Sequence, residues 1–312
     1  MDGPLRRDRD GPPYRITKAG NKKTFMSIER REFLKTASVF TTGLMLTGVG
    51  TKLAGCAGPK VNAAVNNNFG LQLYTLRDDL PKDHLSVLRQ VGSFGYKQLE
   101  GYEGPKGIYW GMKNTEFKKF VNDLGMEMVS SHCKWEENLE QKAAEAAEIG
   151  MKYLLCPHLG AQSKIDFYKQ TADKFNKAGE ICKKAGIRFG YHNHDYSFKL
   201  VEGQLPQDVM MQGTDPSLVD FEMDIYWVVA AGADPVAWFN RYPNRFTAVH
   251  VKDRRGNESV VLGTGNIDFK NILKEGHKKG VRYFIVEQEA YTGTTPLAAA
   301  KADADYMKTF KV

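Results

Sequence analysis

Side chains able to bind metals or move protons recur along this 312-residue sequence at the ends of short apolar runs. Glu100, His132, His158, the pair His192 and His194, the pair Glu222 and Asp224, then His250 with Asp253, and finally Glu287 with Glu289 occupy such positions. Five of the seven histidines are among them. Burying such groups without partners costs several kcal/mol each, so their recurrence on apolar segments points to mutual pairing or to a bound cation. Mixed imidazole and carboxylate donors suit Mn, Zn, Co, Fe or Ni as the divalent ion better than Ca or Mg. An ion of that kind polarises a carbonyl as a Lewis acid. His192, Asp224, His250 and Glu287 could converge on one cation. Because side chains alternate along a strand, His192 and His194 share a face, as do Glu222 and Asp224, and Glu287 and Glu289. Spacing therefore leaves the choice within each pair open.

These residues need elements to position them, and the sequence supplies eight. Apolar, β-rich runs cover 69–76, 96–102, 126–133, 153–159, 188–194, 219–227, 246–253 and 282–289. Between them lie helical patterns such as 83–94, 115–124, 137–149 and 167–185, the last with Phe167, Thr171, Phe175, Ala178 and Cys182 on one face. Gly95, Gly125, Gly186 and Gly280 each stand just before a strand, where a helix would stop. Strict alternation favours a parallel sheet with right-handed crossovers. Eight units between residue 69 and the C-terminus match a closed α/β (β/α)8 TIM barrel of about 250 residues. A doubly wound open sheet is disfavoured, because Leu76-Arg77-Asp78-Asp79-Leu80 after the first strand cannot form a glycine-rich phosphate cradle. In a barrel the C-terminal strand ends carry the chemistry, and that is where the ligand-type residues fall.

The first 68 residues read differently. From Met26 onward, Arg30-Arg31 followed by Glu32-Phe33-Leu34-Lys35 precedes a weakly apolar, small-residue stretch that ends near Leu53-Ala54-Gly55-Cys56. This is the three-part build of an export signal, with a twin-arginine-like pair and a lipobox-like end at which Cys56 would be lipidated. The apolar stretch falls short of the ~20 strongly apolar residues of a stable membrane span. Residues 1–25 read as an upstream extension, 26–56 as the signal, 57–68 as a tether and 69–312 as the barrel. The protein is then exported, periplasmic, and membrane-associated only through a lipid anchor, with the twin-arginine machinery as a partner. Net charge is +7, but the excess crowds the first 35 residues, so the near-neutral body argues against a nucleic-acid partner. Cys133, Cys156 and Cys182 form no C-x-x-C pair and are expected as small buried apolar residues.

The segments GYHNHDYSF, EMDIYWVVAAGADP, AVHVKDRRG, LGTGNIDF and FIVEQE resemble the xylose-isomerase-like TIM-barrel superfamily, in particular its exported sugar phosphate isomerase/epimerase-type members. The resemblance runs from about residue 69 to the C-terminus. It implies a metal site at His192, Asp224, His250 and Glu287, and substrate contacts at positions resembling Glu100, His132, His158 and Lys252. Two departures stand out. The family's strand-five Glu-Asn-His is here His192-Asn193-His194, and its Asp-x-x-His is Asp224-Ile225-Tyr226-Trp227. The family's ketose epimerases use the strand-five and strand-eight glutamates as opposed proton-transfer groups, so His192 removes one of the two. Glu287, Glu289, His194 and Lys252 remain as catalytic candidates.

The resemblance thus implies a divalent-metal-dependent sugar isomerase or epimerase that transfers a proton next to a carbonyl. A keto-sugar or 3-keto-glycoside lyase or hydratase uses the same first step, and a carbohydrate-binding lipoprotein without catalysis is the alternative of another class. The partner in each case is a sugar or sugar derivative. Trp110 and Trp135, on loops after strands, are candidates for stacking on a sugar ring, and Arg254 is a further candidate contact.

Overall fold

A computed structural model describes residues 68–310. The expected extension, the export signal with Arg30, Arg31 and Cys56, and nearly all of the tether lie outside the described residues. The chain runs β1 (Gly70–Gln72), α1 (Leu80–Phe94), β2 (Gln98–Tyr102), α2 (Asn114–Asp123), β3 (Glu127–His132), α3 (Leu139–Ile149), β4 (Tyr153–Cys156) and α4 (Ile165–Ala185). It continues through β5 (Arg188–His192), α5 (Pro206–Gly213), β6 (Val219–Asp224), α6 (Ile225–Ala230), α7 (Pro235–Arg241) and β7 (Phe246–Val251). A two-stranded hairpin, β8 (Asp253–Arg255) and β9 (Glu258–Val260), precedes α8 (Phe269–Lys278), β10 (Tyr283–Val286) and α9 (Pro296–Met307). Eight parallel strands close a barrel in the order β1-β10-β7-β6-β5-β4-β3-β2. The expected (β/α)8 architecture is therefore the observed one. None of the described helices is long and apolar enough to cross a membrane.

Alternation along each strand sorts its side chains into two environments. Leu154 and Cys156 on β4, Phe189 and Tyr191 on β5, Phe221 and Met223 on β6, and Val249 and Val251 on β7 join the apolar layer packed against the helices. The residues between them face the barrel axis, and there the polar set collects. Cys133, Cys156 and Cys182 are free and buried, as expected. Gly95, Gly125, Gly186 and Gly280, each following a helix, sit at positive φ between 74° and 112°, where a side chain would be strained.

The strands stop earlier than the apolar runs suggest, and side chains cause this. The Gln72 side chain accepts the N–H of Tyr74, ending β1 and starting a 3-10 turn at Leu73–Leu76. Asp224 caps α6 by accepting the N–H of Trp227, so the chain turns helical inside the expected sixth strand. After Val251 the Asp253 carboxylate accepts backbone N–H groups from Arg254, Gly263 and Gly265, at 2.7, 2.9 and 2.9 Å. These bonds fold the 262–267 turn back onto the strand end.

Asp303, on α9, holds the same turn from the other side. Its Oδ1 accepts the N–H of Leu262 at 2.8 Å, while Oδ2 is buried without a hydrogen-bond partner. Burial, with the Asp253 charge adding to it, pushes the Asp303 carboxyl from 3.8 up to about 7. The folded state then binds a proton that the unfolded chain has released, so the associated stability is full below about pH 4 and is lost as pH rises through 7. The effect is on the order of a few kcal/mol. Asp303→Asn keeps an acceptor for Leu262 and removes the charge. Melting temperatures across pH 5 to 8.5 are expected to fall less steeply for this variant than for wild type. Parallel curves would sink the assignment.

Candidate metal centre

The last residues of neighbouring parallel strands lie side by side at the barrel mouth. His192 ends β5, Asp224 ends β6, His250 lies in β7 opposite Asp224, and Glu287 follows β10 directly. One ligand atom from each of these four buried residues lies within 4.8 Å of the others. His192 Nε2 is 3.4 Å from Asp224 Oδ2, and His250 Nδ1 is 3.2 Å from Glu287 Oε2 and 3.8 Å from Asp224 Oδ2.

His192 shows most clearly that the cluster is built to hold a cation. Its Nδ1 is 3.1 Å from the carbonyl oxygen of Pro157. A carbonyl only accepts, so Nδ1 carries the proton and the Nε2 lone pair turns into the cluster. That Nε2 is buried and has no hydrogen-bond partner. An oriented imidazole with an unused lone pair beside two carboxylates and a second imidazole is a donor set that fits a divalent transition-type cation.

Lys252 closes one side of the cluster. Its fully buried ammonium donates to Glu289 Oε2 at 2.5 Å, Glu287 Oε2 at 3.1 Å and Asp224 Oδ2 at 3.4 Å. Burial opposes the charged form, but the three carboxylates hold Lys252 above its ordinary value. Reciprocally, burial alone would raise the Glu287 and Asp224 carboxyls. Lys252 and the imidazoles keep both well below the usual carboxylate range.

A second layer lies deeper along the axis and was only partly legible in the sequence. Glu222 pairs in register with His192 and faces the same way as Asp224, two residues earlier on β6. Spacing offered it only as a rival to Asp224, whereas the strand carries both, one beneath the other. His132 Nε2 lies 3.0 Å from Glu222 and 3.3 Å from Glu100, and these carboxylates hold the His132 ring above its ordinary value despite burial. Glu100, Gln72 and Ser130, all on inward-facing positions, complete the layer.

Above both layers opens a cavity of about 670 Å³. His132, His158, His192, His194, Glu287 and Glu289 form its floor, and Tyr74, Tyr102 and Trp135 contribute its aromatic wall. His194 lies just past the end of β5, its ring centre 5.0 Å from that of His192. It stacks against Tyr196 and leans on Trp227, and burial beside His192 pushes it down to about 2, leaving a neutral ring. Trp135 is braced by Phe175 and Phe189 and lines the cavity.

Three sequence expectations need correction. Trp110 is only 1% exposed and packs edge-on against Tyr102, so it supports the wall and offers no stacking surface. Glu100 has no exposure and does not line the cavity; its oxygens are taken up by Gln72, Ser130 and His250. Arg254 sits on the hairpin over the Tyr226 ring, bonded to Asn257, and is absent from the cavity lining.

Comparison with known proteins places this arrangement. The family model for the xylose isomerase-like TIM barrel matches residues 88–310. The inosose dehydratase of Geobacillus kaustophilus is 24% identical over 263 residues, which covers 74% of this chain and 81% of that protein. A sugar phosphate isomerase/epimerase from Parabacteroides distasonis superposes with a TM-score of 0.69 at 31% identity, over 79% of this chain and 95% of its own. The IOLI protein, solved with a zinc atom, shares the fold at a TM-score of 0.62 and 12% identity, over 76% of this chain and 95% of its own.

Proposed function

The chain belongs to the xylose isomerase-like TIM-barrel family, and from that premise we propose that it is a metal-dependent enzyme that removes the proton next to a carbonyl of an uncharged keto-sugar or keto-polyol and then expels a β-oxygen substituent. The observation that carries the proposal is the four-donor cluster with the unused Nε2 of His192, set under a cavity that also receives the Glu289 carboxylate. When bound, a divalent cation supplies the Lewis acidity that acidifies the adjacent C–H. His192, Asp224, His250 and Glu287 would hold it. Glu289, outside that ligand set, is the carboxylate free to take the proton, with Lys252 fixing its position. Having taken the proton, it is also placed to return it to the departing oxygen. The name of the dehydratase relative agrees with the elimination, and the zinc atom in the IOLI structure with the divalent metal.

Charge on the cavity favours an uncharged substrate. Glu103, Glu136, Glu137, Glu287 and Glu289 line it with Lys134 as the one lysine of the lining, and the nearby Lys142, Lys174 and Lys252 are already paired with Glu103, Glu136 and the Glu287–Glu289 pair, so the lining offers little to hold a phosphate. Tyr74, Tyr102 and Trp135 suit the apolar faces of a sugar. Epimerisation or isomerisation is the second reading, favoured by the name of the Parabacteroides distasonis structure. It needs a proton carrier on each face of the planar intermediate. Of the two carboxylates beside the metal donors, Glu287 and Glu289, both stand on the β10 side, and the strands across from them carry the neutral imidazoles of His158 and His194, which favours elimination. Export through the 26–56 signal, with lipidation at Cys56, is part of the proposal and rests on the sequence pattern.

Elemental analysis of the purified protein, followed by deuterium exchange in D2O with keto-sugars, keto-glycosides and sugar phosphates, tests the reading. One equivalent of Mn, Co, Ni, Zn or Fe, deuterium next to the carbonyl, and an unsaturated product would support it. An epimer as the product would favour the second reading, and neither metal nor exchange would leave a carbohydrate-binding protein. The two neighbouring histidines give a separate check. His192→Ala is expected to release the metal, while His194→Ala is expected to keep it and raise KM. Release from the His194 variant would overturn the ligand set.

A further inference from the structure

The inner layer beneath the metal cluster has no role in the chemistry above, and its geometry suggests one. Glu100 lies on β2 and reaches across the axis to His250 on β7, where its Oε1 stands 2.7 Å from Nε2. The same oxygen accepts the Gln72 side-chain N–H at 2.7 Å, and Oε2 accepts the Ser130 hydroxyl at 2.6 Å. The carboxylate is thus clamped by two neighbouring strands. Glu222 Oε2 adds a second acceptor 3.2 Å from the same His250 Nε2.

We propose that Glu100 is a positioning residue: clamped by Gln72 and Ser130, it grips the Nε2–H of His250 and thereby turns Nδ1 toward Asp224 and Glu287 as the metal-binding atom. The inference rests on the metal reading above. Carboxylate oxygens only accept, so the ring nitrogen facing Glu100 must carry hydrogen. An imidazole that keeps its proton on Nε2 can present a lone pair only from Nδ1. Nδ1 is the atom that lies beside Glu287 and Asp224; without metal it too faces an acceptor, Glu287 Oε2 at 3.2 Å, so it is the hydrogen on Nδ1 that a cation would replace while Nε2 keeps its own. A carboxylate behind a ligating imidazole fixes ring orientation and raises donor strength, and loss of such a partner typically lowers metal affinity 10- to 100-fold.

The inner four, Glu100, His132, Glu222 and His250, also lie within 4.8 Å of one another. A second cation there would engage Nε2 of His250 and displace the proton that Glu100 holds. The two arrangements therefore exclude each other, and metal stoichiometry separates them.

The test uses zinc with the full-length protein and its Glu100→Gln and Ser130→Ala variants. Zinc affinity is measured by chelator competition, and the His250 ring nitrogens are followed by 15N NMR in the zinc-loaded, diamagnetic protein. The expected result is one zinc per chain, a retained Nε2–H on His250 with Nδ1 shifted by coordination, and a 10- to 100-fold weaker affinity in Glu100→Gln, with a smaller loss in Ser130→Ala. Melting temperatures of the zinc-free proteins register any general loosening, which by itself would not move the ring-nitrogen signals. Unchanged affinity and unchanged signals in a folded Glu100→Gln overturn the positioning role alone. Two zinc ions per chain, or coordination through Nε2, overturn it as well. Wild type without zinc affinity overturns both this inference and the metal reading. If Glu100→Gln does not fold, the wild-type ring signals and the Ser130→Ala affinity decide.

Discussion

Glu289→Gln is expected to slow proton abstraction by roughly 10²- to 10⁴-fold, the usual contribution of a positioned general base, with bound metal unchanged. That loss corresponds to about 3 to 5 kcal/mol of transition-state stabilisation. The variant is conservative in the ground state, because a glutamine oxygen still accepts from the Lys252 ammonium that lies 2.5 Å from the native carboxylate. Glu289 lines the cavity but is not one of the four clustered donors, so chemistry and metal content separate in this variant. The measurement is the rate of deuterium incorporation from D2O at saturating substrate, together with elemental analysis of the same sample. Full exchange in Glu289→Gln would move the base to Glu287 or to one of the imidazoles. Loss of metal would show that the four-donor set is incomplete.

Asp224→Asn is expected to have the opposite signature. The Asp224 side chain does two jobs: Oδ1 accepts the Trp227 N–H that starts α6, and Oδ2 faces His192 and Lys252. Asparagine can keep the cap and loses the anion. Metal affinity should then fall by more than the ~10- to 100-fold typical of outer partners, and activity with it. A ligand present at 100 times its Kd stabilises the folded state by about 2.7 kcal/mol. Wild type should therefore melt higher when a saturating divalent metal is added, and Asp224→Asn should not. An equal metal-induced rise in both proteins would remove Asp224 from the ligand set.

Much of this was legible in the sequence, for identifiable reasons. The eight strands announce themselves because a parallel barrel buries each strand on the helix side, giving apolar runs, and because glycine is required where each helix turns back, as at Gly186. His192, Asp224, His250 and Glu287 could be gathered because register places the ends of neighbouring strands together. Strand ends were overdrawn where polar side chains capture the backbone, as Asp224 and Gln72 do. Apolar content does not encode that competition. Trp110 and Glu100 were misplaced for a related reason: residue type and a position beside a strand end do not distinguish a group facing the cavity from one facing its neighbours. Spacing alone does not assign Glu222, since an i, i+2 pair on a strand can be two layers as readily as two alternatives.

The hydrogen bond between Glu100 and His250 joins residues 150 positions apart and spans the barrel. Its partners stand on strands laid down early and late in the chain, and the remaining donors come from β5, β6 and the turn after β10. The four donors of the metal cluster come from the C-terminal half of the barrel, β5 to β10, whereas the layer beneath draws Glu100 and His132 from the N-terminal half and Glu222 and His250 from the C-terminal half. Contacts of such long sequence separation form only after the chain ends have been brought together. Full metal affinity should therefore need ring closure, which brings Glu100 on β2 to His250, and fragments ending before β10, which lack Glu287, should fall short of it.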